Sequence, residues 1–473
     1  MNILNKLKEG HWPIFLLSSM SAMANLFLPI ILVRLISPDQ MGLYKIFFLY
    51  LSIIPFLFLV GGPINSVYYW VGKDKEERML YIQSCFQLSV LLSIPILLIG
   101  FTFGFVFSEY LKMSYEAFIF MIVASFFWVP GGHFGETSIA VGKTARGSIF
   151  STTFEILKVI MFISIAMMTK NLETIFKSYT ILLFIKFCFT ILWGKKLGYI
   201  SFKIDWERIK VVFMYCLPIS LAGLLGFFVD KVDLLILSGF LDVDEFAFYS
   251  MGCLVIPPLI MLDMSVHKVL IPKVSSFYLK NKKQEALEVY NKAISDISFI
   301  IVPAIFGLFF FAEPIVELLY TNKYAASATY LRIFSLSYLL YTVPHDAIPR
   351  ATGKTGWILK IYLITTPISL IGVFLMAKYY GAVAALSIAV ALKFLPKIAG
   401  LQFSCTIMGW RFRDLFPYKR LAIYFGLSTI LTVLCLLLKP MFATSLNWFF
   451  VCSPAFAVIY LGTLYYNVRG KNE

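Results

Sequence analysis

Runs of roughly 20 apolar residues recur from one end of this chain of 473 residues to the other. An apolar helix of that length crosses the ~30 Å hydrocarbon core of a bilayer and satisfies its own backbone hydrogen bonds there. Charged residues make up 14% of the chain, against about 25% in soluble domains, and the mean hydropathy is +0.83. So little charge cannot cover a globular surface. The sequence therefore predicts an all-α, polytopic membrane protein.

Polar breaks between the apolar runs predict about 14 transmembrane helices. They are placed at 12–36, 42–63, 80–107, 116–140, 148–168, 175–193, 212–238, 246–266, 293–312, 328–348, 357–378, 382–405, 421–438 and 446–466. The first run is longer than the core of about 7–15 residues of a secretory signal and lacks a cleavage site. We therefore expect it to remain as a membrane helix.

The net charge of +15 is distributed unevenly between the two predicted sides of the membrane. Loops on the side of the N-terminus carry 27 lysines and arginines, and loops on the other side carry nine. Cytoplasmic loops of membrane proteins are enriched in these residues, so both termini are predicted to be cytoplasmic and no nucleic acid partner is needed. The external loops are short and no catalytic motif occurs, so we do not expect an enzyme.

Two pairs of similar segments divide the chain into matching halves. AVGKT at 140–144 returns as ATGKT at 351–355, and ISPDQMGLY at 36–44 returns as LDVDEFAFY at 241–249. The offsets are 211 and 205 residues, and an even number of helices between copies keeps both halves in one orientation. Transporters built from such parallel repeats bind substrate where the repeats meet. We predict six-helix bundles at 1–205 and 206–408 around a central cavity, followed by two additional helices at 409–473.

Longer segments resemble the polysaccharide transporter family. They are RLISPDQMGLY, YCLPISLAGLLGFFVDKVDLLILSGFLDVDEFAFYS, VLIPKVSSFYLKNKKQEALEVYNKA and FAEPIVELLYTNKYAASATYLRIFSLSYLL. This family contains the O-antigen and lipid-linked oligosaccharide flippases, and it belongs to an exporter superfamily shared with multidrug antiporters. The resemblance implies two six-helix bundles enclosing a cavity. It also implies a groove for the lipid tail of the substrate, formed by the two C-terminal helices.

Five lysines fall inside predicted helices, where each costs about 2.5–3.5 kcal/mol at the membrane centre unless it faces water or a counter-charge. They are Lys158, Lys186, Lys231, Lys393 and Lys397. Lys186 and Lys397 are 211 residues apart, and Lys393 lies one helical turn before Lys397 with Pro396 between them. We interpret these lysines as the lining of a cationic cavity that binds a diphosphate. The alternative is that they extend toward cytoplasmic headgroups.

Carboxylates accompany the lysines in two predicted helices. Asp230 and Asp233 share one face of the seventh helix with Gly223 and Gly226. These acids would either bind a coupling cation or pair with lysines of the cavity. Glu155 lies three residues before Lys158, where an ion pair within the helix competes with a role in cation binding.

A histidine and an acid precede each GKT segment: His133 with Glu136, and His345 with Asp346. These residues would either pair at an inner gate or serve as ordinary polar groups at the membrane interface. Arg34, at the outer end of the first helix, matches an arginine common in the resembled family; it would either aid release or anchor the helix at headgroups. Seven cysteines without CxxC spacing predict no disulfide framework, metal site or cofactor.

The leading hypothesis is a flippase that moves a polyprenyl-diphosphate-linked oligosaccharide across the bacterial cytoplasmic (inner) membrane by alternating access, with or without a coupling cation. Its partners would be the glycan lipid, bilayer lipid and polysaccharide polymerase machinery. The alternative is a cation-coupled exporter of small amphipathic molecules, for which an acidic cavity would be expected. A membrane glycosyltransferase is a third hypothesis, disfavoured by the short external loops.

Overall fold

The computed structural model describes residues 12–72, 75–354 and 356–469, and every regular element in these ranges is a helix. Eleven helices in the described ranges are long and apolar enough to cross a membrane, or twelve when one bent pair counts as a span. The predicted all-α membrane protein is confirmed, whereas the predicted count of 14 is not reached. The charged termini at 1–11 and 470–473, which entered the orientation prediction, lie outside the described residues.

The lower count arises in part because the eleventh and twelfth predicted helices are merged. Residues Gly356–Met408 form a single candidate span of 53 residues. At about 1.5 Å per residue this span would measure ~80 Å, far more than the ~30 Å hydrocarbon core. Gly381 interrupts it with φ +79°, a conformation that suits glycine. This break lies between the two predicted helices.

Contacts between residues divide the chain into two compact units. Unit 1 comprises Met1–Phe228 and Leu241–Ala247, and unit 2 comprises Val229–Phe240 and Phe248–Glu473. The division therefore falls within a long helix, and the two C-terminal helices belong to unit 2.

Unit 1 packs around a mixed aromatic and aliphatic core. Its helices are α1 Trp12–Leu35, α2 Pro38–Leu57, α3 Gly61–Trp70, α4 Lys75–Tyr110, α5 Tyr115–Trp128, α6 His133–Ala140, α7 Thr144–Thr169, α8 Leu172–Lys196 and the first part of α9 Trp206–Phe240. Helix α1 packs along α7, and α5 packs on both α4 and α8. Trp70, Phe86 and Phe134 are buried where α3, α4 and α6 meet. Asn171 caps α8 by accepting from the N–H of Glu173.

Unit 2 contains the end of α9 and most of the remaining helices. They are the end of α10 Val243–Gly252, α11 Pro257–Leu279, α12 Lys283–Phe310, α13 Ala312–Tyr320, α14 Ser327–Ser335, α15 Ala347–Ala351, α16 Gly356–Leu392, α17 Phe394–Met408, α18 Tyr418–Leu438 and α19 Ser445–Arg469. One apolar core joins α11, α12, α15 and α17 around Tyr290 and Ile348. A second core packs α18 and α19 against Phe311 through Trp448 and Phe456.

Two of the helices predicted for unit 1 are broken. The second is split into α2 and α3, with Leu59 at φ +58° two residues before Gly61. The fourth is split into α5 and α6 by the 3-10 turn Pro130–Gly132. Proline cannot donate the helical hydrogen bond, and glycine permits unusual backbone angles. The α-helical pattern is thus interrupted at both places, although Pro38–Leu57 and Tyr115–Ala140 each remain one candidate membrane span, as predicted.

The helices at the corresponding positions of unit 2 are broken as well. The eighth is split into α10 and α11, which begins with Pro257 and Pro258. The tenth consists of α14, the 3-10 turn Leu336–Thr342 and α15, with Pro344 before α15. The predictions of continuous helices are wrong here. Broken helices at matching positions of two repeats commonly mark the substrate site of a transporter.

Candidate functional site

Both breaks of unit 1 border one cavity. Its volume is about 470 Å³, and its lining includes Gly62 after the first break, Gly132 at the second break and Ser220 of α9. The polar part of the lining also includes Asn65 of α3 and two charged side chains, Lys186 of α8 and Glu136 of α6. The volume lies within the range of about 300–1,000 Å³ that is usual for small-molecule sites.

Helix α8 holds the break of the fourth helix in place. Thr190 donates a hydrogen bond of 2.7 Å to the main-chain carbonyl of Gly131, which the 3-10 turn removes from the regular helical pattern. Gly131 also lies against α8 so closely that an added Cβ would be 3.5 Å from the main-chain nitrogen of Phe187. Irregular backbone inside a membrane is tolerated when neighbouring groups satisfy it in this way. The same contact brings Lys186 to the cavity.

Lys186 is a buried cation at the cavity. The residue is only 9% exposed, and its Nζ lies 5.9 Å from the centre of the Phe154 ring. No carboxylate in the described ranges forms an ion pair with it; Glu155 and Glu136 attract it from a greater distance. A cation over an aromatic face gains about 0.5–2 kcal/mol, which is far less than a buried ammonium loses by leaving water. An anion bound in direct contact with Lys186 would add to the attraction from Glu136, which lines the same cavity.

Lys158 is neutralised within unit 1. Its Nζ lies 2.6 Å from the Glu155 carboxylate, so the ion pair considered from the sequence is present. Asn25 of α1 donates to the same carboxylate at 3.0 Å and accepts from Lys158 at 2.7 Å. Sequence reasoning missed Asn25, although an amide in an otherwise apolar helix is a signal. This cluster joins α1 to α7 and leaves Glu155 with two partners.

Lys393 is neutralised within unit 2. Its Nζ lies 3.8 Å from Asp233 and donates to the main-chain carbonyl of Asp230 at 3.0 Å. Asp233 is 1% exposed and also accepts a hydrogen bond from Tyr249. The sequence left two alternatives for Asp233, binding of a coupling cation or pairing with a lysine, and in the structure Asp233 pairs with Lys393. The Asp230 side chain is exposed, and Lys231 is partly buried.

Lys397 lies beside a broken helix, as Lys186 does. The helix is interrupted at Lys393, near Pro396, which cannot donate to the carbonyl of Leu392. Beyond this junction, Gly400 contacts the break of the tenth helix so closely that an added Cβ would be 3.0 Å from the main-chain oxygen of His345. No carboxylate in the described part of unit 2 forms an ion pair with Lys397, although Asp263, Asp346 and Asp230 attract it.

The two histidine–acid pairs differ in their contacts. His133 lies 3.3 Å from the Thr137 hydroxyl, while Glu136 accepts a hydrogen bond of 2.7 Å from Tyr68 of α3. His345 lies 4.0 Å from Asp346. The closer partners of Asp346 are His267 of α11 at 3.1 Å and Arg350 at 2.7 Å.

Sequence reasoning missed Tyr68 and His267. Both lie in the second segments of broken helices, so recognition of the breaks would have drawn attention to them.

Arg34 does not join either cluster. Its side chain is exposed and donates to the main-chain carbonyl of Ile30. Within the described ranges, no three His, Cys, Asp or Glu side chains are placed to hold a metal ion, and all seven cysteines are free thiols.

Comparison with known proteins identifies related sequences. The sequence profile of a family described as polysaccharide biosynthesis protein matches residues 31–329. A probable low-salt glycan biosynthesis flippase, Agl15 of Haloferax volcanii, is 23% identical over 47% of this chain and 49% of its own length. The chain thus spans about half of that relative. The capsular polysaccharide biosynthesis protein CapF of Staphylococcus aureus is 23% identical over 80% of this chain and 94% of its own length.

Solved structures share the fold. The lipid II flippase MurJ in an inward closed conformation matches with a TM-score of 0.74 at 14% identity, covering 96% of this chain and 99% of that protein. An inward-facing multidrug resistance transporter of the MATE family matches with a TM-score of 0.60 at 16% identity, covering 82% and 94% of the two chains. At such low identity these matches establish the polytopic helical fold and leave the cargo open.

Proposed function

The chain belongs to the family of polysaccharide biosynthesis proteins, and on that premise we propose that it is a flippase for a polyprenyl-diphosphate-linked oligosaccharide. The cargo is an O-antigen unit or a similar precursor of a surface polysaccharide. It moves from the inner to the outer leaflet of the bacterial cytoplasmic membrane, with both termini of the protein in the cytoplasm. The protein makes and breaks no covalent bond. Polysaccharide polymerase machinery would receive the product.

The observation that carries this proposal is the Lys186 ammonium at the cavity between two broken helices. A diphosphate is the part of the proposed cargo that most needs cations, because its charge must leave water to enter the membrane. Lys186 has no ion-pair partner in the described ranges, so a phosphate oxygen would not have to displace a carboxylate. Charge-assisted hydrogen bonds of this type are about twice as strong as neutral ones.

Lys397 supports the proposal from unit 2. It occupies the position 211 residues after Lys186 and lies beside the corresponding broken helix. We propose that the two lysines bind the diphosphate and that the two halves alternate in their access to the membrane sides. Lys158 and Lys393 hold acidic partners instead, and we assign them to the stability of their units. Lys231 and Arg34 stay as secondary contacts for the glycan lipid.

Coupling to a cation gradient is a further part of the proposal. Glu155 and Asp233 are each within reach of a lysine, so a metal cation would have to compete with a tethered ammonium. Asp230 has an exposed side chain and is the more accessible carboxylate. We therefore place any coupling cation at Asp230. Glu155 or Asp233 would bind it only after the paired lysine has moved away.

The likeness to multidrug transporters favours a second candidate, an exporter of small amphipathic cations. Lys186 and Lys397, which form no ion pair within the described ranges, disfavour such cargo, because a cation and an ammonium repel each other. A charged amphipathic dye and a lipid-linked oligosaccharide therefore make a discriminating pair of substrates.

The test uses purified protein in vesicles that contain a labelled polyprenyl-diphosphate oligosaccharide, with and without sodium or proton gradients. We expect the label to exchange between leaflets and the oligosaccharide to stay chemically unchanged. Movement of the cationic dye alone would favour the exporter, and a new glycosidic product would favour an enzyme. Lack of exchange with every glycan lipid under every gradient contradicts the proposal.

A further inference from the structure

His267 joins the second segments of two broken helices in unit 2. It lies on α11, with its Nε2 3.1 Å from the Asp346 carboxylate at the start of α15. On the other side of the ring, Nδ1 lies 3.0 Å from the main-chain carbonyl of Asp263 and 3.2 Å from the Asp263 carboxylate. Both ring nitrogens therefore face oxygen atoms that can only accept hydrogen bonds when the carboxylates are ionised.

This geometry requires a proton in addition to that of a neutral imidazole. A neutral ring carries one N–H, so the other nitrogen would turn its lone pair toward an oxygen atom. The extra proton resides on Nε2 or on Asp346. Arg350 donates to the other Asp346 oxygen at 2.7 Å and so favours the ionised carboxylate. The arrangement thus corresponds to an imidazolium between two carboxylates.

The surrounding charges are compatible with that protonation state. Three cationic groups, namely protonated His267, Arg350 and Lys397, are accompanied by Asp263, Asp346 and Asp230. The other titratable groups that face this cluster come from the neighbouring helices and turns. They are His345 before α15, Tyr290 of α12, Tyr341 of the 3-10 turn and Tyr362 of α16.

In unit 1 the matching helix segments are also joined by a hydrogen bond, but its donor does not titrate near neutral pH. Tyr68 of α3 donates to Glu136 of α6 at 2.7 Å, and these are also the second segments of two broken helices. A tyrosine hydroxyl keeps its proton at pH values where a histidine can lose one. One property in which the matching contacts of the two units differ is therefore whether a proton can leave.

We propose that His267, Asp263 and Asp346 form a binding site for one proton, and that its release separates α11 from α15. After release, the Nε2 lone pair faces an ionised oxygen of Asp346, and the contact becomes repulsive. The proton leaves as such, so no other reactant is needed. That this step regulates transport rests on the proposed function; the site and the separation of the helices do not.

Nitrogen NMR of protein labelled at its four histidines and embedded in lipid tests the proton directly. At pH 7 we expect one ring with both nitrogens protonated, and this signal disappears in His267→Gln. His267→Asn provides the same assignment if the glutamine variant folds poorly. If the signal that disappears in either variant is that of a neutral ring, the proposal is overturned.

Cys405 of α17 is a native reporter for the separation, because it is buried with Leu270 of α11 and Ile348 of α15 in one core. Its rate of reaction with a maleimide is followed by peptide mass spectrometry in wild type and His267→Gln across the NMR titration. At each pH, the rate in wild type is divided by the rate in His267→Gln, which cancels the pH-dependent intrinsic reactivity of the thiol. We expect this ratio to rise about fivefold as His267 loses its proton, equivalent to roughly 1 kcal/mol. A ratio that stays constant with pH overturns the separation.

Two controls distinguish this inference from the proposed function. Tyr68→Phe alters the matching contact in unit 1 and should leave the pH course of Cys405 unchanged. Leaflet exchange by wild type is measured at the same pH values. Absence of exchange at every pH contradicts the flippase and leaves the proton site standing. Exchange without a change across the titration contradicts the regulatory role alone.

Discussion

The two units share their helix breaks and differ in the side chains around them. In unit 1 a tyrosine joins the second segments, and in unit 2 a histidine between two carboxylates does so. The buried ion pairs also differ: Glu155 of unit 1 is partly exposed and has Asn25 as a further partner, whereas Asp233 of unit 2 is almost fully buried. Helix breaks thus occur in both units, while individual side chains give each unit its own response to charge.

The largest expected effect is at the ion pair of unit 2. Lys393→Met removes the ammonium from the buried Asp233 carboxylate and leaves its hydrogen bond from Tyr249 in place. Loss of one partner of a buried pair costs about 3–5 kcal/mol. We expect a lower thermal midpoint in a fixed detergent. Lys158→Met in unit 1 should cost less, because Glu155 keeps Asn25 and is 31% exposed.

The double variant Lys393→Met/Asp233→Asn is the control for the charge effect. It removes both charges and should recover part of the lost stability. Equal midpoints for Lys393→Met and wild type would show that the pair does not stabilise unit 2.

The next effect concerns the starts of the helices that follow the two GKT segments. A Cβ on Gly147 of α7 would lie 2.4 Å from the main-chain oxygen of Gly135, while a Cβ on Gly356 of α16 would meet nothing within 4 Å. Gly147→Ala should therefore cost about 1–3 kcal/mol through overpacking. Gly356→Ala should leave the thermal midpoint unchanged or raise it slightly. Equal effects of the two substitutions would contradict the tighter packing of unit 1 at this position.

A smaller effect is expected at the neutral contact of unit 1. Tyr68→Phe removes one hydrogen bond from a half-exposed hydroxyl, which should cost about 1 kcal/mol. Because no proton leaves this contact near neutral pH, the difference in thermal midpoint from wild type should stay constant between about pH 6 and 8. A difference that changes across this range would remove the contrast between the units.

The smallest effects are expected at exposed ion pairs. Glu313 of unit 2 lies 2.7 Å from Arg332, and this hydrogen bond holds the pKa of Glu313 below its usual value. The bridge therefore stabilises the fold above the unfolded pKa of about 4.3 and is lost as the pH falls through the lower folded pKa. Glu313→Gln should cost less than about 1 kcal/mol at neutral pH.

Lys112→Met serves as the comparison in unit 1. Its partner Asp242 is 81% exposed, so we expect a change in thermal midpoint near zero. A larger loss than that of Glu313→Gln would reverse the expected order of the two contacts.

Features that depend on neighbouring residues could be predicted from the sequence. The apolar runs gave the helical membrane fold, and the spacing of Glu155 and Lys158 gave their ion pair. The breaks were missed because membrane helices often tolerate proline and glycine, so these residues alone do not indicate a break.

Long-range partners could not be predicted, because residues such as Asn25 and Glu155 are 130 positions apart. The same applies to Tyr68 with Glu136 and to His267 with Asp346. Their contacts depend on how whole helices pack, which no local pattern specifies.

The most direct measurement compares leaflet exchange of a polyprenyl-diphosphate oligosaccharide with that of a matched neutral polyprenyl glycoside. Wild type should prefer the diphosphate, and Lys186→Ala/Lys397→Ala should lose this preference, with a fall in rate of at least about tenfold. The expected size follows from about 1.5–3 kcal/mol for one hydrogen bond to a charged group. The corresponding double arginine variant should retain exchange. Exchange of the diphosphate cargo by the double alanine variant at the wild-type rate, with the preference intact, would contradict the account.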